Sequence, residues 1–208
     1  MKIQGLCRIA TDRQGLTELA HAMMRPVRGN CFRSFLRLLY TLLLYLLMPL
    51  VLLRLWWRGR RNPGYRERTA ERFGIYSGTI PGGCIWIHAV SVGESQATQP
   101  LMRWISENLP DVPVVISTTT PTGADRVAQM YGDTVTRVYF PYDLPFAIRR
   151  ALHAFRPRLM VVMETEIWPN LMHLCEQTGI PVVLANARLS AQSAKGYQRV
   201  RALIAPAI

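Results

Sequence analysis

The sequence predicts an α/β domain with a doubly wound parallel sheet, preceded by a single apolar helix. Three observations point there. From residue 84 onward, short apolar runs alternate with helical periods, the pattern of strand–helix–strand units. Residues 38–53 contain no charged side chain. Through Tyr76, fourteen Lys and Arg stand against four Asp and Glu, a net +10 of the chain's +12. The basicity therefore belongs to the first third of the chain and not to the α/β part.

Residues 1–35 show no sustained apolar period and hold the breakers Gly5, Gly15, Pro26 and Gly29, so a poorly ordered extension with one short helical stretch at 17–24 is expected. Residues 36–57 read as a membrane-anchoring helix. The uncharged run of sixteen residues is bounded by Arg37 and Arg54, a little short of the roughly 20 that span a bilayer core. Snorkelling arginines together with Leu55, Trp56 and Trp57 extend it towards an interfacial belt. Single-pass and one-leaflet arrangements both fit. Arginine on both flanks leaves the orientation open, and 54–58 offers no small-residue cleavage site of the signal-peptide kind. Residues 58–83 form a basic connector with a turn at Asn62-Pro63-Gly64. A short helix is expected at 65–73, with Arg66, Arg68 and Arg72 turned to anionic headgroups.

The sheet domain is expected over 84–208. Strands are predicted at 85–89, 114–117, 137–140, 159–163 and 182–185, and helices at 93–108, 122–131, 145–155, 168–178 and from near Ala191. Gly179-Ile180-Pro181 reads as a helix stop followed by re-entry into a strand. A partner for nucleic acid is not expected, because the α/β part has no aromatic-and-basic surface pattern. Cys7, Cys31, Cys84 and Cys175 are scattered, with no CxxC pair and no His at ligand spacing, which fits a reduced, metal-free setting.

In an open α/β sheet, ligands bind at the carboxyl ends of the strands. The loops there are 91–94, 118–122, 141–143, 164–166 and 186–190. The first ends CIWIHAVSVGE, a strand, a small-residue loop and a helix start at Gly93-Glu94. A carboxylate at a helix start meets free N–H groups that favour its charged form, so Glu94 is a candidate general base. It is equally a candidate helix cap. Thr118–Thr122 reads as a capping segment, Asp143 as the N-cap of the helix at 145, Glu166 as solvent-facing or a cap of the next helix, and His88 as a core histidine satisfied by backbone. His153 and His173 are expected on helix surfaces. Ser91, Gly93, Thr119, Thr120 and Arg188 are the candidate substrate-binding residues. The sequence has no GxGxxG, no P-loop, no Gly-x-Ser-x-Gly and no metal cluster.

The apolar start LLYTLLLYLLMPLVLLRLWWRGR, then YRERTAERFG, IWIHAVSVGE, ISTTTPTGADR, YFPYD, METEIWPN and NARLS, together resemble the 3-deoxy-D-manno-octulosonic acid (Kdo) transferases over residues 36–208. The resemblance implies a Rossmann-like acceptor domain, the N-terminal half of a GT-B glycosyltransferase on the cytoplasmic face of the bacterial inner membrane. It implies transfer of Kdo from CMP-Kdo to the lipid A precursor, lipid IVA, by an inverting displacement of CMP that needs neither metal nor other cofactor. It gives Glu94 the role of proton acceptor and Glu164 that of transition-state stabiliser. The C-terminal donor-binding half has no counterpart in the sequence, so a truncated transferase is expected. The alternatives are a non-catalytic, membrane-bound half that binds the lipid A precursor, and a GT-B enzyme using another nucleotide sugar.

Overall fold

The structure, a computed structural model, describes residues 30–164 and 166–186. The expected helices at 17–24 and from near Ala191, and the candidate Arg188, lie outside them. Five strands form one parallel sheet: β1 (Ile85–His88), β2 (Val114–Thr118), β3 (Thr136–Tyr139), β4 (Leu159–Met163) and β5 (Val182–Ala185), in the order β3-β2-β1-β4-β5. The helices are α1 (Asn30–Arg61), α2 (Val92–Ala97), α3 (Gln99–Asn108), α4 (Pro121–Tyr131), α5 (Pro145–Phe155) and α6 (Pro169–Thr178).

Parallel strands need crossover connections, and these are right-handed in almost all proteins. Moving outward from β1 to β2 and β3 therefore places α3 and α4 on one face. The return from β3 to β4 and β5 places α5 and α6 on the other. The core follows suit. Ile85, Ile87, Ile116 and Val161 pack with Ile105 and Val127 on the first face. Trp86, Met160 and Val162 pack with Phe155, Leu171 and Cys175 on the second. The three central strands β1, β2 and β4 are buried on both sides, which is why they read as largely apolar runs, whereas the edge strands β3 and β5 are partly exposed.

All five predicted strands form. The helix expected at 93–108 is divided at Thr98, where Pro100 lacks the N–H that a continuous helix would use and α3 starts afresh. The helix expected at 65–73 is replaced by two 3-10 turns, Pro63–Tyr65 and Thr69–Phe73, separated by Arg68 at φ 53°. Its arginines do not all face outward. Arg72 is buried, lies over the Tyr139 ring, and donates from Nη2 to the Thr119 carbonyl at 3.0 Å. Arg68 grips Glu71 through Nε and Nη2 at 2.6 and 2.8 Å. Glu71, also buried, accepts the Tyr139 N–H at 2.7 Å. The connector is thus fastened to the end of β3 through buried charge.

Helix α1 is longer than the expected 36–57, taking in residues given to the extension and to the connector. It contains an 18-residue window of mean hydropathy 2.1. Leu38, Leu39, Leu42, Leu43, Leu46, Leu50 and Leu53 are exposed. The opposite side meets the sheet domain: Tyr45 stacks with Phe146, the Tyr40 hydroxyl donates to Asp143 Oδ2 at 3.0 Å, and Thr41 Oγ1 donates to Asn170 Oδ1 at 3.0 Å.

Asp143 corrects the sequence reading. The N-cap of α5 is Leu144, with no side-chain cap, and Asp143 instead accepts the N–H groups of Asn170 and Leu171 at the start of α6, at 2.9 and 2.8 Å. It caps a helix that starts at Pro169 and not at Pro145 as expected, because the β3 and β4 loops share one edge of the sheet. Burial pushes its carboxyl up to about 7, against the downward pull of these two N–H donors and the Tyr40 hydroxyl. A raised carboxyl binds its proton in the folded state while the unfolded chain has already lost it. Stability should therefore fall as pH rises from about 4 to about 7 and level off above that. Urea unfolding at pH 5.5 and pH 8 should show this loss, and Asp143→Asn, although less stable at both, should show a smaller difference between them.

Candidate active site

The strand order reverses between β1 and β4, where the connections leave for opposite faces. The crevice at their carboxyl ends is the switch point at which open α/β sheets bind ligands. The register Ile87↔Val161 and His88↔Val162 brings the loop after β1, with Ser91, Gly93 and Glu94, beside the loop after β4, with Glu164 and Glu166. Thr119 and Thr120 follow β2 on the other side of β1.

Glu94 sits in the first turn of α2, whose N-cap is Ser91. Ser91 Oγ accepts the Glu94 N–H at 3.3 Å and donates to Glu94 Oε1 at 2.9 Å. Glu94 Oε2 accepts the Val90 N–H at 2.8 Å. This is a capping-box arrangement with the glutamate folded back on the loop, and Glu94 is only 6% exposed. The capping reading is therefore right as geometry. It does not remove the chemical one, since a carboxylate offers about four lone-pair sites and two are used here. The cap fixes the carboxylate in one orientation, as a base must be fixed.

The neighbouring loop packs tightly on this one. Thr119 Oγ1 and Thr120 Oγ1 donate to the Val90 carbonyl at 3.3 and 3.5 Å, and Thr120 Oγ1 accepts the Gly123 N–H at 3.1 Å as the N-cap of α4. The predicted capping segment thus resolves to Thr120. A Cβ on Gly123 would stand 3.0 Å from Thr120 Oγ1 and 3.3 Å from Val90 O, so glycine permits the close approach of α4 to the β1 loop. Gly93, by contrast, has its nearest such neighbour at 4.0 Å and is open.

Glu164 ends β4 with φ 60°, in the left-handed region, and its N–H donates to the Ala185 carbonyl at 2.7 Å. For a residue with a Cβ this conformation costs on the order of 1 kcal/mol and persists only where the surroundings enforce it. Glu166 does not cap α6, whose N-cap is Trp168 without a side-chain bond. His88, expected to be satisfied by backbone, is satisfied on one side only: Nδ1 meets Ser117 at 3.1 Å, and buried Nε2 has no hydrogen-bond partner among the described residues. His153 is exposed and His173 half-buried on their helices, as expected. Sequence reasoning missed Glu71 and turned Arg72 the wrong way. They lie in a short 3-10 turn whose periodicity carries no signal, yet Arg72 holds the Thr119 carbonyl in place. A wide groove of about 810 Å³ lies apart from this edge, along α5 by Tyr76, Thr79, Arg149, His153 and Arg156. Among the described residues, none from the loops after the strands lines it, so it is separate from the carboxylates of the switch point.

Fold and edge together define the class: a Rossmann-like α/β domain with acidic loops at the switch point of its sheet, behind a long apolar helix. The chain belongs to the 3-deoxy-D-manno-octulosonic-acid transferase (Kdo transferase) family, which matches residues 67–208. It is 45% identical over 168 residues to the 3-deoxy-D-manno-octulosonic acid transferase of Haemophilus influenzae, covering 80% of this chain and 39% of that protein. It is 39% identical over 163 residues to the enzyme of the same name from Bordetella pertussis, covering 74% and 38%. With the protein described as a probable mitochondrial 3-deoxy-D-manno-octulosonic acid transferase of Arabidopsis thaliana, identity is 37% over 164 residues, covering 78% and 37%. The chain spans about two fifths of the length of these relatives.

Ser91→Ala removes the hydroxyl that both caps α2 and orients Glu94. A loss of about 1 kcal/mol in stability is expected from the cap alone. The urea midpoint checks it, and an unchanged midpoint would mean that the Val90 N–H suffices to hold the loop.

Proposed function

We propose that this chain is the acceptor-binding half of an enzyme that transfers Kdo from CMP-Kdo to the lipid A precursor, lipid IVA, in lipopolysaccharide biosynthesis. The observation that carries the reading is the placement of Glu94 and Glu164 in the β1 and β4 loops, on either side of the switch point, in a chain of the Kdo transferase family. Glu94 takes the proton of a sugar hydroxyl of the acceptor as that oxygen attacks the anomeric carbon of Kdo. The bond from that carbon to the phosphate of CMP breaks on the opposite face, and CMP leaves with the bonding electrons. The anomeric centre inverts. CMP is a stable leaving group and needs no strong enzymic acid, whereas the oxocarbenium-like centre gains positive charge that Glu164 offsets electrostatically. The step as written uses no metal and no other cofactor.

The nucleotide is held, in this reading, by a second domain outside the 208 residues. Coverage of about two fifths of the relatives supports it, and on that account the chain alone is expected to bind acceptor without turning it over. Ser91, Gly93, Thr119, Thr120 and Arg188 are proposed to meet the acceptor's polar groups.

Helix α1 serves as the membrane anchor at the cytoplasmic face of the inner membrane, lying in one leaflet. Support comes from its exposed leucines and from its contacts with the sheet domain at Tyr40, Thr41 and Tyr45, within the first half of the apolar run. A helix held there by the domain does not hang the domain from one end. Arg60 over Trp56 and Arg61 over Trp57 form an aromatic and basic collar suited to anionic headgroups. Deleting residues 36–57 should abolish carbonate-resistant membrane association, and unchanged association would assign binding to the basic connector.

In the full-length protein, Glu94→Gln should lower kcat for Kdo transfer by roughly 10²–10⁴-fold, with the KM for lipid acceptor little changed and folding intact. Near-normal turnover removes Glu94 from the mechanism. In the 208-residue chain, CMP-Kdo generated in situ should give no product with the tetraacyl precursor although the precursor binds. Glu94-dependent product would show that the second domain is dispensable.

A further inference from the structure

The groove along α5 has no part in the transfer step above, and its charge is unmatched. Between Leu144 and Met160 the chain carries Arg149, Arg150, His153, Arg156 and Arg158 and no acidic residue. The opposite wall, from residues 74–80, carries no charged residue. Arg149, Arg150, His153 and Arg156 are exposed along the rim, and spacings of three and four put Arg149, His153 and Arg156 on one side of the helix. Tyr76, Ile80 and Ala154 form the floor, packed on the core behind them. Among the described residues none of the four basic groups forms an ion pair.

Two of the guanidinium groups are held in place. Arg156 ends α5 at φ 42°, a left-handed position that glycine more often takes, so its side chain is kept at a backbone cost. Its guanidinium lies against Gly82, where a Cβ would stand 2.8 Å from Nε and 2.9 Å from Nη2. The helix dipole favours a cation at this end, but not at Arg149, about two turns earlier. Arg150 lies over the Phe146 ring, 5.3 Å from its centroid, and donates from Nη1 to the Phe73 carbonyl at 3.5 Å.

The position of the groove suggests its occupant. α5 runs from the carboxyl edge of the sheet to the amino edge, so the groove along its later turns leads away from the switch point. It is continuous with the contact of the apolar helix. Tyr45 of α1 stacks on Phe146, Phe146 stacks on Phe73, and the groove opens at the next residue, Gly74. Positive charge continues the same way: burial lowers the pKa of His173, and Arg37 of α1 and Arg149 lower it further, against Glu176. A helix lying in one leaflet, with its leucines among the acyl chains, presents its domain side at headgroup depth. Ile75, 52% exposed, stands at the mouth of the groove.

We propose that this groove is a binding site for the phosphate-bearing headgroup of an anionic phospholipid. Arg149 and Arg156 meet the phosphate oxygens, which suit the fork of a guanidinium, and Ile75, Tyr76 and Ile80 take the first carbons of the chains. A basic pocket beside a membrane helix is where such headgroups bind, and about 810 Å³ is room for one. The choice of a lipid rests on the reading of α1 as an anchor. The affinity for a phosphate group does not.

The experiment is native mass spectrometry of the 208-residue chain released from a neutral detergent, titrated with phosphatidylglycerol or with phosphatidylcholine. Phosphatidylglycerol should bind the more tightly at the first site filled. Replacing Arg149→Gln and Arg156→Gln together should weaken that site about fivefold for each arginine, and so about 25-fold for the pair. Arg60→Gln with Arg61→Gln, in the collar of α1, should leave it unchanged. Both groove arginines are exposed, and an unchanged urea midpoint checks that the variant folds. Equal affinity for the two lipids, or no weakening in the groove variant, overturns the site. Displacement of the lipid by equimolar inorganic phosphate assigns the groove to free phosphate, and displacement by an oligoglutamate peptide assigns it to an acidic protein segment. Either result overturns the lipid. Binding is read in detergent and without turnover, so it fails or succeeds independently of the carbonate test of the anchor and of the transfer assay.

Discussion

The parallel pairing of β1 with β4 is the constraint on which the rest of the molecule depends. β1 is first in the sequence domain yet central in the sheet, with β2 on one side and β4 on the other. The crossover rule then leaves the chain no freedom about where its helices go: α3 and α4 take one face, α5 and α6 the other. A crevice between two diverging loops is left at the carboxyl end of this pair. Glu94 and Glu164 flank it because the fold places the ends of β1 and β4 there, not because the two residues attract each other.

Buried charge fastens the outer parts to this frame. Glu71 and Arg72 tie the connector to β3 and to the β2 loop, and Asp143 ties α6 and α1 together through two backbone N–H groups and one hydroxyl. Each of these groups would be costly if left unpaired, so each specifies a position as well as contributing to stability. Asp143 sits near its own titration point, held up by burial and down by its donors. The contact between the apolar helix and the sheet domain therefore includes a group that titrates on folding.

Capping and catalysis are often offered as rival explanations for an acidic residue at a helix start. At Glu94 the same hydrogen bonds serve both. The bonds to Ser91 and Val90 that complete α2 also fix the direction of the carboxylate and keep it largely from solvent. A base that had to find its orientation in each turnover would lose part of the advantage of being positioned. The strain at Glu164 is the counterpart: a backbone angle unfavourable in itself, kept by what surrounds it.

The sequence by itself determined what depends on neighbours in the chain. All five strands were legible: β1, β2 and β4 as apolar runs buried on both faces, and the edge strands β3 and β5 as short β-branched and aromatic runs between helical periods. The stop at Gly179 was legible in the Gly-Ile-Pro that follows the helical period, capping at 118–122 and at Glu94 in hydroxyl and acidic residues at helix starts, and α1 in its uncharged run. The site was legible as a set of loops, because loops that follow parallel strands must share an edge. Tertiary structure alone decided the partners. Asp143 caps α6 and not α5, Arg72 is buried under Tyr139 instead of facing headgroups, and His88 meets Glu166 rather than backbone alone. In each case the partner is tens of residues away along the chain, and local spacing carries no information about it. Buried polar groups choose partners by proximity in the folded state, where an unmet donor or acceptor has no water to turn to.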